Sequence, residues 1–322
     1  MRKLVWLVFW FAGCILHVSS VEAFNLSHFQ NLVIFGDSLS DNGNSYFLTA
    51  DFLTAGQEPP DPPYYEGRWT NGPNWVDYFP SIAHFPSAAG QPEAITPFFV
   101  NPTTGTNVAV GGSTSSPVLR SSSTSTTPLP VQIGAFVAQH GGRIPSNNLY
   151  LIWIGPDDFV LAGSRDPKVT VAAIGAGVAQ LRQAGAKAVV VVNLPDFSLT
   201  PSLRSQGTAT VQAAKNFVTG VNVGLQVEAP FLAWALGVQL ELIDVNALFD
   251  QLVYNPGAFG FTNSSGYALD PSTGGGDTNQ NDYVFYDGFH PTTKVHYIAA
   301  EYFYQAITQG RPLPGLRLAF YP

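Results

Sequence analysis

The chain has 322 residues, 45% of them hydrophobic and only 11% charged, which is enough apolar material for a core of ordinary size and is not the composition of a disordered chain. Its 31 Gly and 25 Pro follow no period, so collagen-like and solenoid architectures are excluded. A net charge of −8, with no Lys/Arg cluster to neutralise phosphates, argues against nucleic acid as a partner.

Arg2 and Lys3 precede an apolar run over residues 4–16, and Val21-Glu22-Ala23 supplies small residues at a cleavage site. This is the pattern of a secretory signal peptide over residues 1–23. The run is too short for a membrane anchor, which needs about 20 residues. Ala12-Gly13-Cys14 ends like a lipobox, but Phe11 and Ile15-Leu16 fit that reading poorly. Cys14 is the only cysteine, so the mature chain, residues 24–322, has no disulfide, thiol nucleophile or Cys–zinc site. Asn25-Leu26-Ser27 and Asn263-Ser264-Ser265 are glycosylation sequons, which matter only in a eukaryotic host.

Residues 32–35 form a short continuous apolar run that stops at Gly36, as a buried strand of a parallel sheet does. Residues 107–110, 149–154, 188–192 and 238–245 are further candidate strands, each ending at a turn signal or a polar residue. Helical periodicity covers residues 131–140, 169–184, 208–235 (with a possible break at Pro230) and 292–309. Strand–helix alternation implies a parallel sheet covered on both faces, an α/β fold in one domain. Residues 51–73 and 113–130 are Pro-, Gly-, Ser- or Thr-rich and are expected as long surface loops.

Ser38 lies in Gly36-Asp37-Ser38-Leu39-Ser40, just past the first strand. A serine needs a base within hydrogen-bond reach to become a nucleophile. The Gly-x-Ser-x-Gly elbow is absent because its last position is Ser40, and on these residues alone helix capping explains Ser38 equally well. His290 follows Asp287 by three residues in Tyr286-Asp287-Gly288-Phe289-His290-Pro291-Thr292, close enough for the carboxylate to fix the imidazole; a solvated surface turn is the bland alternative. No His-Glu-x-x-His motif exists. Trp153, inside a strand, is expected in the core. Tyr64, Tyr65, Trp69 and Trp75 could form a substrate platform or simply pack a loop. His84, His140 and His296 receive no role.

Together these segments resemble the GDSL, or SGNH, esterases and lipases. The similar blocks are Ile34-Phe35-Gly36-Asp37-Ser38-Leu39-Ser40-Asp41-Asn42-Gly43-Asn44, Asn107-Val108-Ala109-Val110-Gly111-Gly112-Ser113, Ile152-Trp153-Ile154-Gly155-Pro156-Asp157-Asp158 and Asp287-Gly288-Phe289-His290-Pro291-Thr292. Glu66-Gly67-Arg68-Trp69-Thr70-Asn71-Gly72-Pro73-Asn74-Trp75 and Val192-Asn193-Leu194-Pro195 are also similar to family segments. The resemblance implies a flavodoxin-like three-layer α/β/α fold and hydrolysis of carboxylic esters without metal or cofactor. It implies Ser38 as nucleophile, His290 as base then acid, and Asp287 as its orienter. It implies an oxyanion hole built from the N–H groups of Ser38 and Gly112, with Gly111 the alternative, and from position 157. Asp37 then shapes the loop.

Position 157 departs from the family, which has asparagine there. An ionised aspartate has no proton to donate to an oxyanion. Asp157 is then protonated, or turned away, or the protein has lost most of its hydrolytic activity. The reading that follows is a secreted, monomeric serine esterase acting on short-chain or acetyl esters, such as those of a glycan. The alternatives are a lipase acting on lipid esters and a non-catalytic binding protein on the same scaffold.

Overall fold

A computed structural model describes residues 23–50, 56–84, 95–119, 127–270, 275–276 and 279–310. All but the last residue of the expected signal peptide, Cys14 included, lies outside the described residues. The central sheet has four parallel strands, β1 (Leu32–Gly36), β2 (Leu149–Trp153), β3 (Ala188–Val192) and β4 (Gln239–Ile243), adjacent in that order. Ile34 pairs with Leu151, Leu151 with Val190 and Val190 with Glu241. β1, β2 and β3 are buried along their whole length, which is why they appear in the sequence as unbroken apolar runs.

Residues 107–110 run along the other side of β1, through bonds from Ile34 N to Thr106 O (2.9 Å), Val108 N to Ile34 O (2.7 Å) and Val110 N to Gly36 O (3.2 Å). They form isolated bridges, Asn107 to Ile34 and to Pro97, rather than the regular strand expected from sequence. The reason is Asn107. Its Oδ1 takes the Ala109 N–H at 3.2 Å, and its Nδ2 donates to Ser40 O and Asn42 Oδ1 at 2.7 Å each. Side-chain bonds of this kind compete with a ladder. Counting this segment second in the chain gives a spatial order of 2-1-3-4-5, the flavodoxin-like order. Its switch point lies at the carboxyl ends of β1 and β2.

The helices are α1 (Asn44–Thr49), α2 (Trp75–Ala83), α3 (Leu129–Gln139), α4 (Pro156–Val160), α5 (Pro167–Ala184), α6 (Pro201–Arg204), α7 (Thr208–Leu236), α8 (Val245–Tyr254) and α9 (Thr293–Gln309). Alternate strand residues face opposite layers. Ile34, Leu151, Trp153 and Val190 pack with α2, α8 and α9. Val33, Phe35, Ile152 and Val191 pack with α3, α5 and α7. Trp153 is core, edge-on to Phe303 at 5.3 Å, and Trp75 is core as well, 4.9 Å from the same ring. α7 runs through Pro230 without the expected break; Pro230 is exposed, while Ala229 and Leu225 keep the inner face buried.

Gln132 of α3 fastens the end of β1. Its Oε1 accepts the Gly36 N–H at 3.0 Å, and its Nε2 donates to Gly36 O at 2.7 Å and Thr127 O at 2.8 Å. An unpaired buried amide costs about 1–3 kcal/mol, and the void left by the side chain adds to it. Gln132→Ala is therefore expected to lower stability by about 2–4 kcal/mol, measurable as a lower midpoint in denaturant unfolding.

Candidate active site

The site begins where β1 stops. Asp37 O accepts from Ser40 N (3.1 Å) and Asp41 N (3.0 Å), and Asp37 Oδ1 accepts from Leu39 N (3.0 Å). This tight turn puts Ser38 at the carboxyl end of the sheet. Asp41 then holds the neighbouring segments. Its Oδ1 accepts from Gly43 N (2.9 Å) and Asn44 N (2.7 Å), and its Oδ2 from Ser45 N (3.0 Å), Gly111 N (2.9 Å) and the Ser45 hydroxyl.

Gly111 and Gly112 are glycine for different reasons. A Cβ on Gly111 would lie 2.5 Å from Trp69 Nε1, whereas Gly112 has φ of +74°, which disfavours a side chain. The Gly111 N–H is occupied by Asp41 and by Ser45 Oγ (2.7 Å). The N–H groups of Ser38 and Gly112 make no hydrogen bond to a described residue. That leaves those two as the available backbone donors beside the serine, and it removes Gly111 as the alternative.

His290 reaches the serine from the other end of the chain. The Asp287 carboxylate closes its own turn, Oδ1 accepting from Phe289 N (2.7 Å) and His290 N (2.6 Å). Oδ2 is thereby aimed at the imidazole, whose Nδ1 lies 2.7 Å away, while Nε2 lies 2.9 Å from Ser38 Oγ. The structure thus brings Ser38, His290 and Asp287 into one hydrogen-bonded line. Burial opposes the charge on Asp287, but the charge of His290 and hydrogen bonds from His290 and Tyr64 outweigh it and hold the carboxyl below its ordinary value. In the neutral imidazole Nδ1–H donates to Asp287 and Nε2 accepts from the Ser38 hydroxyl, the arrangement a general base requires.

Two features were not assigned from sequence. The Tyr64 hydroxyl donates to Asp287 Oδ2 at 2.7 Å, and the Trp69 ring lies over His290 at 5.2 Å. Tyr64 and Trp69 therefore pack on the dyad rather than on a generic loop. His296, in the first turn of α9, is buried and pushed down to about 3 by burial, with His290 adding to the effect, so it stays neutral.

Asp157, the first acidic residue of α4, is only 5% exposed, and its carboxyl makes no hydrogen bond to a described residue. Burial raises its proton affinity well above the usual carboxylate range, and Asp37 and Asp158 push it further. Asp37 is raised by burial too, and its Oδ2 is buried without a partner. Asp158 differs, accepting from Ser115 N (2.8 Å), Ser115 Oγ (2.5 Å) and Thr170 Oγ1 (2.5 Å). Two poorly paired carboxyls beside a third favour the neutral form of Asp157, which can donate one hydrogen bond. Among the described residues no group of His, Cys, Asp and Glu converges as a metal site.

The model of the GDSL-like lipase/acylhydrolase family matches residues 32–303. Similar proteins include a phosphatidylcholine-sterol acyltransferase of Aeromonas hydrophila, 28% identical over 73% of this chain and 64% of its own length. Lipase 1 of Photorhabdus luminescens is 26% identical over 88% of this chain and 51% of its own. A thermolabile hemolysin of Vibrio parahaemolyticus is 24% identical over 88% of this chain and 65% of its own. The chain thus matches between half and two thirds of the length of these relatives.

The acidic cluster has a consequence for stability. A carboxyl whose folded value is raised contributes fully below its unfolded value, near 3.8, and loses that contribution as pH rises through the folded value. Asp157→Asn removes this loss. The variant is expected to melt above wild type at pH 8, with the gain shrinking towards about pH 4, in thermal melts across that range.

Proposed function

The chain belongs to the GDSL-like lipase/acylhydrolase family, and from that premise we propose that it hydrolyses carboxylic esters through an acyl-enzyme on Ser38. The observation that carries this reading is the line Asp287–His290–Ser38, with bonds of 2.7 and 2.9 Å. Ser38 Oγ attacks the ester carbonyl carbon while His290 Nε2 takes its proton. The tetrahedral oxyanion is met by the N–H groups of Ser38 and Gly112 and by a neutral Asp157. Collapse breaks the bond to the alcohol, which leaves with the proton from His290. Water then attacks the acyl group, giving its proton to His290, and the acid departs as Ser38 recovers its own.

The acyl part is read from a small apolar cavity of about 50 Å³ at the carboxyl ends of the strands. Leu39, Pro156, Phe289 and Pro291 line it, each adjacent in the chain to Ser38, Asp157 or His290, and Phe197 and Leu248 line it further in. An apolar cavity of this size supports a short hydrocarbon acyl group. The names of two relatives, a lipase and a phosphatidylcholine-sterol acyltransferase, agree with this. Secretion is part of the proposal, resting on the signal pattern of residues 1–23. Among the described residues no helix is long and apolar enough to cross a membrane.

p-Nitrophenyl esters from acetate to decanoate test the reading. Turnover is expected to rise beyond acetate, to fall by about 1,000-fold or more in Ser38→Ala, and to be blocked by a fluorophosphonate attached to Ser38. A label on Ser113 would remove Ser38 as the nucleophile, and ester binding with no turnover at any pH would favour the binding protein instead.

Asp157 gives a second outcome. Its role as donor needs the acid form, whereas His290 must be neutral, so the pH–rate profile should be a narrow bell. Asp157→Asn is expected to extend the alkaline limb and raise kcat by about 10-fold or more at pH 8, below the 100- to 1,000-fold typical of a lost oxyanion donor. An unchanged profile and kcat would remove Asp157 from the oxyanion hole.

A further inference from the structure

The segment between Pro63 and Thr70 is bound to the catalytic turn at several points. Tyr286 OH donates to Pro63 O at 2.6 Å, and Thr70 Oγ1 donates to Pro291 O at 2.8 Å. Asn71 Oδ1 accepts from Thr293 N at 2.9 Å. Between these ties Tyr64 stands edge-on to Tyr286, with centroids 5.3 Å apart at 87°, and to Trp69 at 5.9 Å and 65°. Two aromatic rings therefore fix the phenol, and its hydroxyl meets Asp287 Oδ2, the oxygen that also accepts from His290 Nδ1.

The Asp287 carboxylate thus has four donors. Two are backbone N–H groups of its own turn and one is the imidazole. Among the described residues Tyr64 is the only one from a distant segment, 223 residues away. We propose that Tyr64 is a positioning residue for the reaction, its hydroxyl holding Asp287 Oδ2 in line with the imidazole and tempering the charge that His290 feels. The inference rests on the ester-hydrolase reading.

The phenol acts as a neutral donor throughout. Burial raises its proton affinity, and the adjacent Asp287 charge and the hydrogen bond to it raise it further. A hydrogen bond to a carboxylate disperses its charge, so a carboxylate lacking that bond holds a neighbouring proton more tightly. The groups facing the dyad are Tyr64 and Tyr286 beside Asp287, Asp37 from the turn after β1, and His296 from α9. His296 stays neutral, and Asp37 is distributed identically in wild type and in a Tyr64 variant that keeps the ring. A change in the acid limb of the profile therefore reports on the missing hydroxyl.

The test is Tyr64→Phe, which keeps both aromatic contacts, with Tyr65→Phe as control; Tyr65 is 37% exposed and makes no bond to the dyad. The second-order rate of fluorophosphonate labelling is measured from pH 4.5 to pH 9. Circular dichroism at each pH restricts the comparison to conditions in which the variant is folded, so acid unfolding does not mimic the effect. In Tyr64→Phe the acid limb is expected to move to higher pH by about half to one unit, a 3- to 10-fold slower labelling on that limb, while Tyr65→Phe leaves it in place. A limb unmoved in Tyr64→Phe, with wild type labelled on Ser38, overturns the role of Tyr64 and leaves the esterase reading standing. A wild type that is not labelled on Ser38 at all overturns both.

Discussion

One buried carboxylate, that of Asp41, joins three pieces of chain. It lies in the segment that follows β1, takes the amides at the start of α1 and takes the amide of Gly111. Because the Gly111 amide is occupied, its neighbour Gly112 is left with a free N–H next to the turn that carries Ser38. The bond between Val110 and Gly36 and the grip of Gln132 on Gly36 brace the same spot from both sides. Geometry at the serine is thus set by backbone amides on a rigid sheet end, the kind of preorganisation that electrostatic catalysis needs.

The sheet was legible because its strands are buried on both faces, so that apolar runs over residues 32–35, 149–154 and 188–192 stood out. The segment over residues 107–110 misled for a physical reason. Its bonds to β1 are present, but the Asn107 side chain takes the Ala109 N–H that a regular strand would offer to a neighbour. α2 was not among the expected helices even though Asn74 and Asp77 form a capping box; it carries Pro80 inside and follows the Pro-rich stretch over residues 51–73. Ser38, His290 and Asp287 were legible through motifs that keep them near turns. Tyr64 was not, because no local pattern marks a phenol whose partner is 223 residues away.

The acidic cluster sets stability against chemistry. Asp37, Asp157 and Asp158 gather at the ends of β1 and β2, and only Asp158 is well supplied with donors. An apolar or amide side chain at position 157 would relieve the repulsion, so the carboxyl is retained at a cost to the fold. Such tension between a local rule and the global structure is common where function is located.

The bond between Ser38 and His290 spans 252 residues, and that between Tyr64 and Asp287 spans 223. Loops of such length cost more entropy to close than the β1–β2 and β3–β4 pairings, which lie nearer in sequence. Ser38 is synthesised long before His290, so its hydrogen-bond partner arrives only with the turn before the last helix.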